Sequence, residues 1–341
     1  MAVTGLAPGA AGAAPPAAGA PTGRRGRVPV RTVVRQDPVT LALVVVVVAI
    51  LVVLVVLPLA TVLVRAVSGA GAEVLVSMVT SAVNRKIILN TVILGVVVGL
   101  TGTVVGFLFA YAQARLKFRG KRLLHVIALI PIVSPPFAVA TASITLFGRN
   151  GIISNQLLGQ PWNIYGLPGL WLVLSISFFP VAYMNLLGML RSLDPSMDEA
   201  AQSLGASKWH IFRTVTLPML IPGFASSFLL LFVEAIADLA NPLVLGGDFT
   251  VLASRAYIAV TGEYNVPAGS AYSLVLLLPA VTVFLVQRYW VAQRSTVSVT
   301  GKPSGRVELL RGFRGRVPLL TVVGLITALI LSIYGTVVVG G

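Results

Sequence analysis

Long apolar runs alternate with short polar stretches along this chain, and the runs set the architecture. Residues 39–67 are almost unbroken Val, Leu and Ala. Further runs follow at 87–114, 123–147, 167–190, 219–245 and 271–289, and a seventh starts near residue 317. Each approaches or exceeds the ~20 residues that cross a bilayer as a helix. A Val-rich run favours strand in water, but an isolated segment in lipid must satisfy its own backbone, so residues 39–67 read as a helix. That run is too long for the apolar core of a signal peptide and is expected to be retained. The pattern predicts an all-α polytopic membrane protein. A six-helix core occupies residues 38–295, and a further transmembrane helix occupies 317–341.

The polar stretch at residues 194–218 has a pattern of its own. Asp194 is a good N-cap, and Pro195 suits the first helical position, where its missing N–H would be unpaired anyway. Asp198 and Glu199 come early in this helix, where the dipole favours negative charge. Gly205 fits the left-handed position that follows a helix end. Ser207 can cap a second short helix carrying Trp209, Phe212 and Val215 on one face. Leu217-Pro218 is expected to close it before the next apolar run. The expectation is two short helices joined at Gly205, outside the bilayer, with one apolar face. Periodicity alone leaves open whether this is a membrane-surface connector or a docking element.

Charge then orients the chain. Hydrophobic residues make up 57% of it and charged residues 10%, against about 25% charged in soluble domains. The net charge of +15 would fit nucleic acid, but the basic residues lie in short clusters between apolar runs. Residues 1–37 are rich in Ala, Gly and Pro and hold Arg24, Arg25, Arg27, Arg31 and Arg35. They read as a disordered basic tail. Residues 115–122 hold five more, residues 191–218 add Arg191, Lys208 and Arg213, and the stretch from Arg288 to Arg316, with the linker 296–316, adds seven. If the N-terminus is cytoplasmic, these twenty lie inside, leaving Arg65, Arg85, Lys86, Arg149 and Arg255 outside. That asymmetry predicts a multi-pass plasma-membrane protein with the 194–218 loop in the cytoplasm and no nucleic-acid partner.

The residues Glu199-Ala200-Ala201, Gly205, Val215, Leu217 and Pro218 form the spacing E-A-A-x₃-G-x₉-V-x-L-P. This resembles the EAA loop of binding-protein-dependent ABC importer permeases, with Val215 where that family favours Ile. The resemblance implies that Glu199, Ala200, Ala201, Gly205, Phe212, Val215, Leu217 and Pro218 couple the chain to an ABC ATPase subunit. It implies an extracytoplasmic substrate-binding protein as a second partner. The run from Ala237 to Leu252, ADLANPLVLGGDFTVL, is similar to the same stretch of iron(III)-type permeases. Putrescine, thiamine and phosphonate permeases are near neighbours of that branch. Many iron(III) relatives fuse two permease halves with two EAA loops. This chain carries one loop, so the resemblance implies either a truncated product or fragment of a fused permease, or a half that pairs with a second permease half or a homodimer partner. Residues 317–341 look like the start of such a half.

Chemistry inside the apolar runs is sparse. Glu234, Asp238 and Asn241 lie in the fifth run. A carboxylate at the centre of a membrane helix costs about 2.5–3.5 kcal/mol, so it faces the bundle interior or water. Glu234 and Asp238 are four residues apart and are expected to share one helix face, lining a translocation path or forming a structural pair near its mouth. The iron(III) resemblance implies ferric iron as substrate, a hard cation suited to oxygen ligands. Pro131, Pro135 and Pro136 interrupt the third run, as a kink or as irregular backbone lining a cavity. Pro242 and Gly246-Gly247 are expected to end the fifth helix. No cysteine and two histidines, His125 and His210, leave no thiolate site, no metal cluster and no evident nucleophile–base pair. No GxxxxGK[ST] motif occurs, so any ATP must be bound by a partner subunit and no cofactor is expected here. The competing readings are an ion-coupled secondary transporter working through Glu234 and Asp238, and a membrane-embedded enzyme. Neither calls for an ATPase, so copurification of one separates them from the importer.

Overall fold

The computed structural model describes residues 38–291 and 313–340; the expected tail, 1–37, and most of the linker lie outside them. Every described element is helical, and no strand occurs among the described residues. In chain order the helices are α1 (Pro38–Val67), α2 (Ala70–Thr80), α3 (Ala82–Arg115), α4 (Lys121–Val133), α5 (Pro136–Phe147), α6 (Leu167–Ser192), α7 (Pro195–Ser203), α8 (Lys208–Ala237), α9 (Ala240–Leu245), α10 (Leu252–Thr261), α11 (Val266–Tyr289) and α12 (Phe313–Gly340). Among the described residues, six helices are long and apolar enough to cross a membrane, or seven if the bent pair α4–α5 is one span. Residues to Pro58 form one unit and those from Leu59 another. In the first unit, the described residues Pro38–Pro58 are helical with no buried side chain.

The second unit is built on α3, α6 and α8. Small residues let these three approach closely, as they do where helices meet in lipid. A methyl group at Gly106 would stand 2.7 Å from both Ala182 Cβ and the Tyr183 backbone nitrogen, and one at Gly99 would stand 2.9 Å from the Phe228 ring. Phe109, Leu170, Leu174, Phe179, Tyr183 and Leu231 fill the centre with almost no exposure. Polar groups add cross-links: Asn185 Nδ2 on α6 donates to Ser226 Oγ at 2.8 Å and Ser227 Oγ at 2.9 Å on α8. At one end of α3, Asn90 Nδ2 donates to the Thr250 carbonyl at 3.0 Å, and Thr91 Oγ1 accepts the Leu252 N–H at 2.8 Å.

Two of the expected spans are broken. The third run divides into α4 and α5, bent by 108°. Ser134 and Pro135 each precede a proline, which disfavours helical backbone, and both are extended (ψ 142° and 137°). The fifth run leaves the helix at Asp238 and resumes as α9. Pro242 does not end that helix. It occupies the first turn of α9, where its missing N–H costs nothing, and Gly246-Gly247 makes the turn instead, with Gly247 at φ +52°. Helix α12 starts at Phe313, inside the expected linker, and packs on α4 and α5, burying Val323, Ile330, Ile333 and Tyr334 in the same core.

Candidate functional site

The loop at residues 194–218 forms its caps where their chemistry dictates. Asp194 Oδ1 accepts the Ser196 N–H at 2.9 Å and starts α7. Helix α7 ends in a Schellman motif: the Gly205 N–H reaches the Gln202 carbonyl at 2.8 Å, and the Ala206 N–H reaches the Ala201 carbonyl at 3.1 Å. Gly205 sits at φ +83°, the left-handed region that glycine adopts freely. Ser207 Oγ accepts the His210 N–H at 3.2 Å and opens the next helix. Glu199, Ala200 and Gly205 are exposed, and Ala201 is half-buried.

The second short helix does not close at Leu217-Pro218. It runs without interruption into the membrane as α8, 30 residues in all. One widened turn over Phe212–Thr216 accommodates Pro218, whose ring would otherwise meet the carbonyl four residues back. The expected apolar face exists. Trp209 stacks on Phe212 at 5.5 Å, and the Phe212 ring meets Tyr111 edge-on at 5.5 Å and lies 6.4 Å from Phe107. Phe212, Val215 and Leu217 are half-buried, and Pro218 is exposed.

Two residues hold the loop in a way that local pattern did not indicate. Arg115 Nη1 lies 2.7 Å from Asp198 Oδ2, with the side chains only 10% and 14% exposed. In the sequence Arg115 counts only as a topogenic charge and Asp198 only as a helix-start acid. They are 83 residues apart, so no periodicity links them. A partial signal existed: each lies at the helix end whose dipole its charge complements.

A second constellation lies within the bundle. Glu234, Asp238 and Asn241 border one cavity of about 510 Å³, with Pro131 and Ser134 at the α4–α5 break and Ser177 of α6. Glu234 and Asp238 do not share a helix face. Asp238 has left the helix (φ −66°, ψ 128°), because its carboxylate accepts the N–H groups of Ala240 and Asn241 and the Asn241 side-chain amide at 2.6 Å. A short acidic side chain that caps a new turn competes with the helix it interrupts. The cavity nonetheless brings all three residues together. Asn241 is 1% exposed, and its Oδ1 accepts no hydrogen bond among the described residues. Ser134 Oγ and Ser177 Oγ, also buried, are in the same condition. Among the described residues, no basic side chain lines the cavity. Its wall is mostly apolar, from residues such as Ile132, Val139, Phe178 and Val181, with the two carboxylates, Asn241 and two serines set into it.

A family model described as "Binding-protein-dependent transport system inner membrane component" matches residues 102–296. The ferric transport system permease protein FbpB of Actinobacillus pleuropneumoniae is 34% identical over 224 residues, 64% of this chain and 32% of that protein. The putative ferric transport system permease protein FbpB 1 of Haemophilus influenzae is 32% identical over 267 residues, 75% of this chain and 41% of that protein. The chain thus spans less than half the length of these two curated relatives. The molybdenum transport system permease protein ModB of Escherichia coli K12 is 26% identical over 203 residues, 56% of this chain and 85% of that protein. Among solved structures, a chain of a bacterial alginate ABC transporter, in complex with an alginate pentasaccharide-bound periplasmic protein, superposes with a TM-score of 0.67 at 16% identity. The match covers 78% of this chain and 98% of that one and shows a shared fold.

Proposed function

The chain belongs to the family of binding-protein-dependent transport system inner membrane components, and from that premise we propose that it is a membrane subunit of an ATP-driven importer. The observation that carries the coupling role is the loop itself. A nine-residue helix, capped at Asp194 and ended at a left-handed Gly205, displays Glu199 and Ala200 outward and continues into α8. In this reading the loop lies in the cytoplasm and docks on a separate ATPase subunit that binds and hydrolyses ATP. An extracytoplasmic binding protein delivers substrate to the other side. Closure of the ATPase pair moves the loop, and α8 carries that motion to the turn holding Glu234.

We propose ferric iron as the cargo. The support is twofold: two relatives are named as ferric permeases, and the cavity offers carboxylate, amide and hydroxyl oxygens with no basic side chain among the described residues. Hard cations prefer such ligands. Glu234, Asp238 and Asn241 then line the translocation path beside a second permease half. Transport requires transient contact, since an ion bound tightly here would stall.

The test is reconstitution with the ATPase subunit, the second half and the binding protein in proteoliposomes. ATP-dependent ⁵⁵Fe(III) uptake supports the reading. A chain that recruits no ATPase would sink it. ATP-dependent uptake of molybdate alone would keep the importer and remove iron; that second reading draws on the ModB likeness.

A further inference from the structure

Helix α3 is 34 residues long, about 50 Å at 1.5 Å per residue, well beyond the ~30 Å apolar core of a bilayer. Its last residue therefore projects to the level of the loop, and that residue is Arg115. Arg115 meets Asp198 at 2.7 Å, one residue before the outward-facing Glu199. Such a shielded pair adds little net stability, because desolvation offsets most of the attraction, but losing one partner leaves the other charge buried and uncompensated. The pair lies in a half-open pocket that Tyr111, Gln202, Lys208, Ile211 and Phe212 also line.

The other end of α3 lines no part of the cavity but packs on the turns of α8 beside Glu234. A Cβ on Gly95 would stand 2.7 Å from Ile236 and Phe232, which flank Glu234 on α8, and Asn90 and Thr91 bond the segment Thr250–Leu252. The loop is covalently continuous with α8 but touches α3 through this ion pair and the Phe212 ring.

We propose that Arg115 and Asp198 act as a clamp that makes α3 move with the docking loop, so that α3 and α8 shift together around the cavity. Arg115 is a positioning residue: it touches neither ATPase nor cargo and works through Asp198. The inference rests on the importer reading above.

The test uses the reconstituted complex with ⁵⁵Fe(III) as probe, measuring iron moved per ATP hydrolysed. Arg115→Gln and Asp198→Asn should each lower that ratio about ten-fold, a typical magnitude for coupling between sites. The exchanged pair, Arg115→Asp with Asp198→Arg, should recover it to within about three-fold, which a merely space-filling role would not produce. Monodispersity in detergent checks that each variant is folded. Single variants with the wild-type ratio would overturn the clamp. So would an exchanged pair no better than the singles, or singles that aggregate while the pair stays both soluble and uncoupled. If the wild-type complex itself hydrolyses ATP without moving iron, the importer reading fails instead, and the two failures are told apart.

Discussion

Substituting Gly205 tests the loop through backbone conformation alone. The residue sits at φ +83°, and a Cβ built there meets nothing within 4 Å. Any effect of a side chain is therefore strain in the left-handed region, not a clash. That strain is roughly 1–2 kcal/mol for an ordinary L-residue, and a β-branched one lies at the upper end or above. The element opposing it is small. Helix α7 has nine residues, too few to be stable alone, and relies on its caps and on the Arg115–Asp198 pair. Most of the strain should then appear as population lost from the docking conformation, a factor of about 5–30. We expect Gly205→Val to weaken binding of the ATPase subunit by at least that factor and to reduce transport in parallel. Membrane insertion and protein level should be unaffected, because Gly205 is exposed and outside the core. Gly205→Asn, which tolerates this backbone region, should stay within about three-fold of wild type. The assay is titration of the ATPase subunit onto nanodisc-embedded complex, with uptake measured beside it. Equal affinity for wild type and Gly205→Val would refute the reasoning, as would equal loss in the Val and Asn variants.

Three further outcomes are expected. Ser203→Cys, on the exposed end of α7, should react with an impermeant thiol reagent only from the cytoplasm, and Asn155→Cys, exposed on the short wide helix Ile152–Leu157, only from outside; labelling of Ser203→Cys in intact cells would invert the topology. Glu234→Gln combined with Asp238→Asn keeps shape and removes charge, and should lower ferric uptake about ten-fold without changing ATPase assembly. Wild-type uptake would reduce both residues to structural ones. Gly106→Val would press a side chain 2.7 Å from Ala182 Cβ and the Tyr183 backbone nitrogen, neither of which can rotate away, costing about 1–3 kcal/mol or more; a detergent-solubilised thermal transition no lower than wild type would show that α3 and α6 separate easily.

The apolar runs made the spans legible, because run length and the cost of unpaired backbone in lipid leave few options. The loop was legible for another reason: Asp194, Gly205 and Ser207 act locally, and each cap depends on neighbours within three or four residues. What stayed hidden was non-local or competitive. The Arg115–Asp198 pair joins residues that only the packed bundle brings together. The break at Asp238 turns on one side chain preferring the N–H groups of Ala240 and Asn241 to continued helix, a contest that spacing does not decide. The assumption of a regular helix through that residue put Glu234 and Asp238 on one face. For the same reason Pro218 read as a stop, although the widened turn before it lets the chain continue.

Both broken spans border the same cavity, and the reason is physical. Pro131 and Ser134 mark the α4–α5 break, and Asp238 and Leu239 mark the α8–α9 break; all four line that space. A helix that stops at membrane depth leaves carbonyl and N–H groups without partners, and each costs several kcal/mol in hydrocarbon. Such a break is tolerated only where protein or water supplies the missing bonds. Asp238 supplies two N–H partners itself, and the unpaired oxygens of Ser134, Ser177 and Asn241 call for water in the cavity. A pocket with two carboxylates in its wall, formed where two spans are interrupted and not by any single helix face, is the feature on which the proposed cation path rests. In the proposed path the helix breaks supply the opening, and Glu234 and Asp238 supply its negative charge.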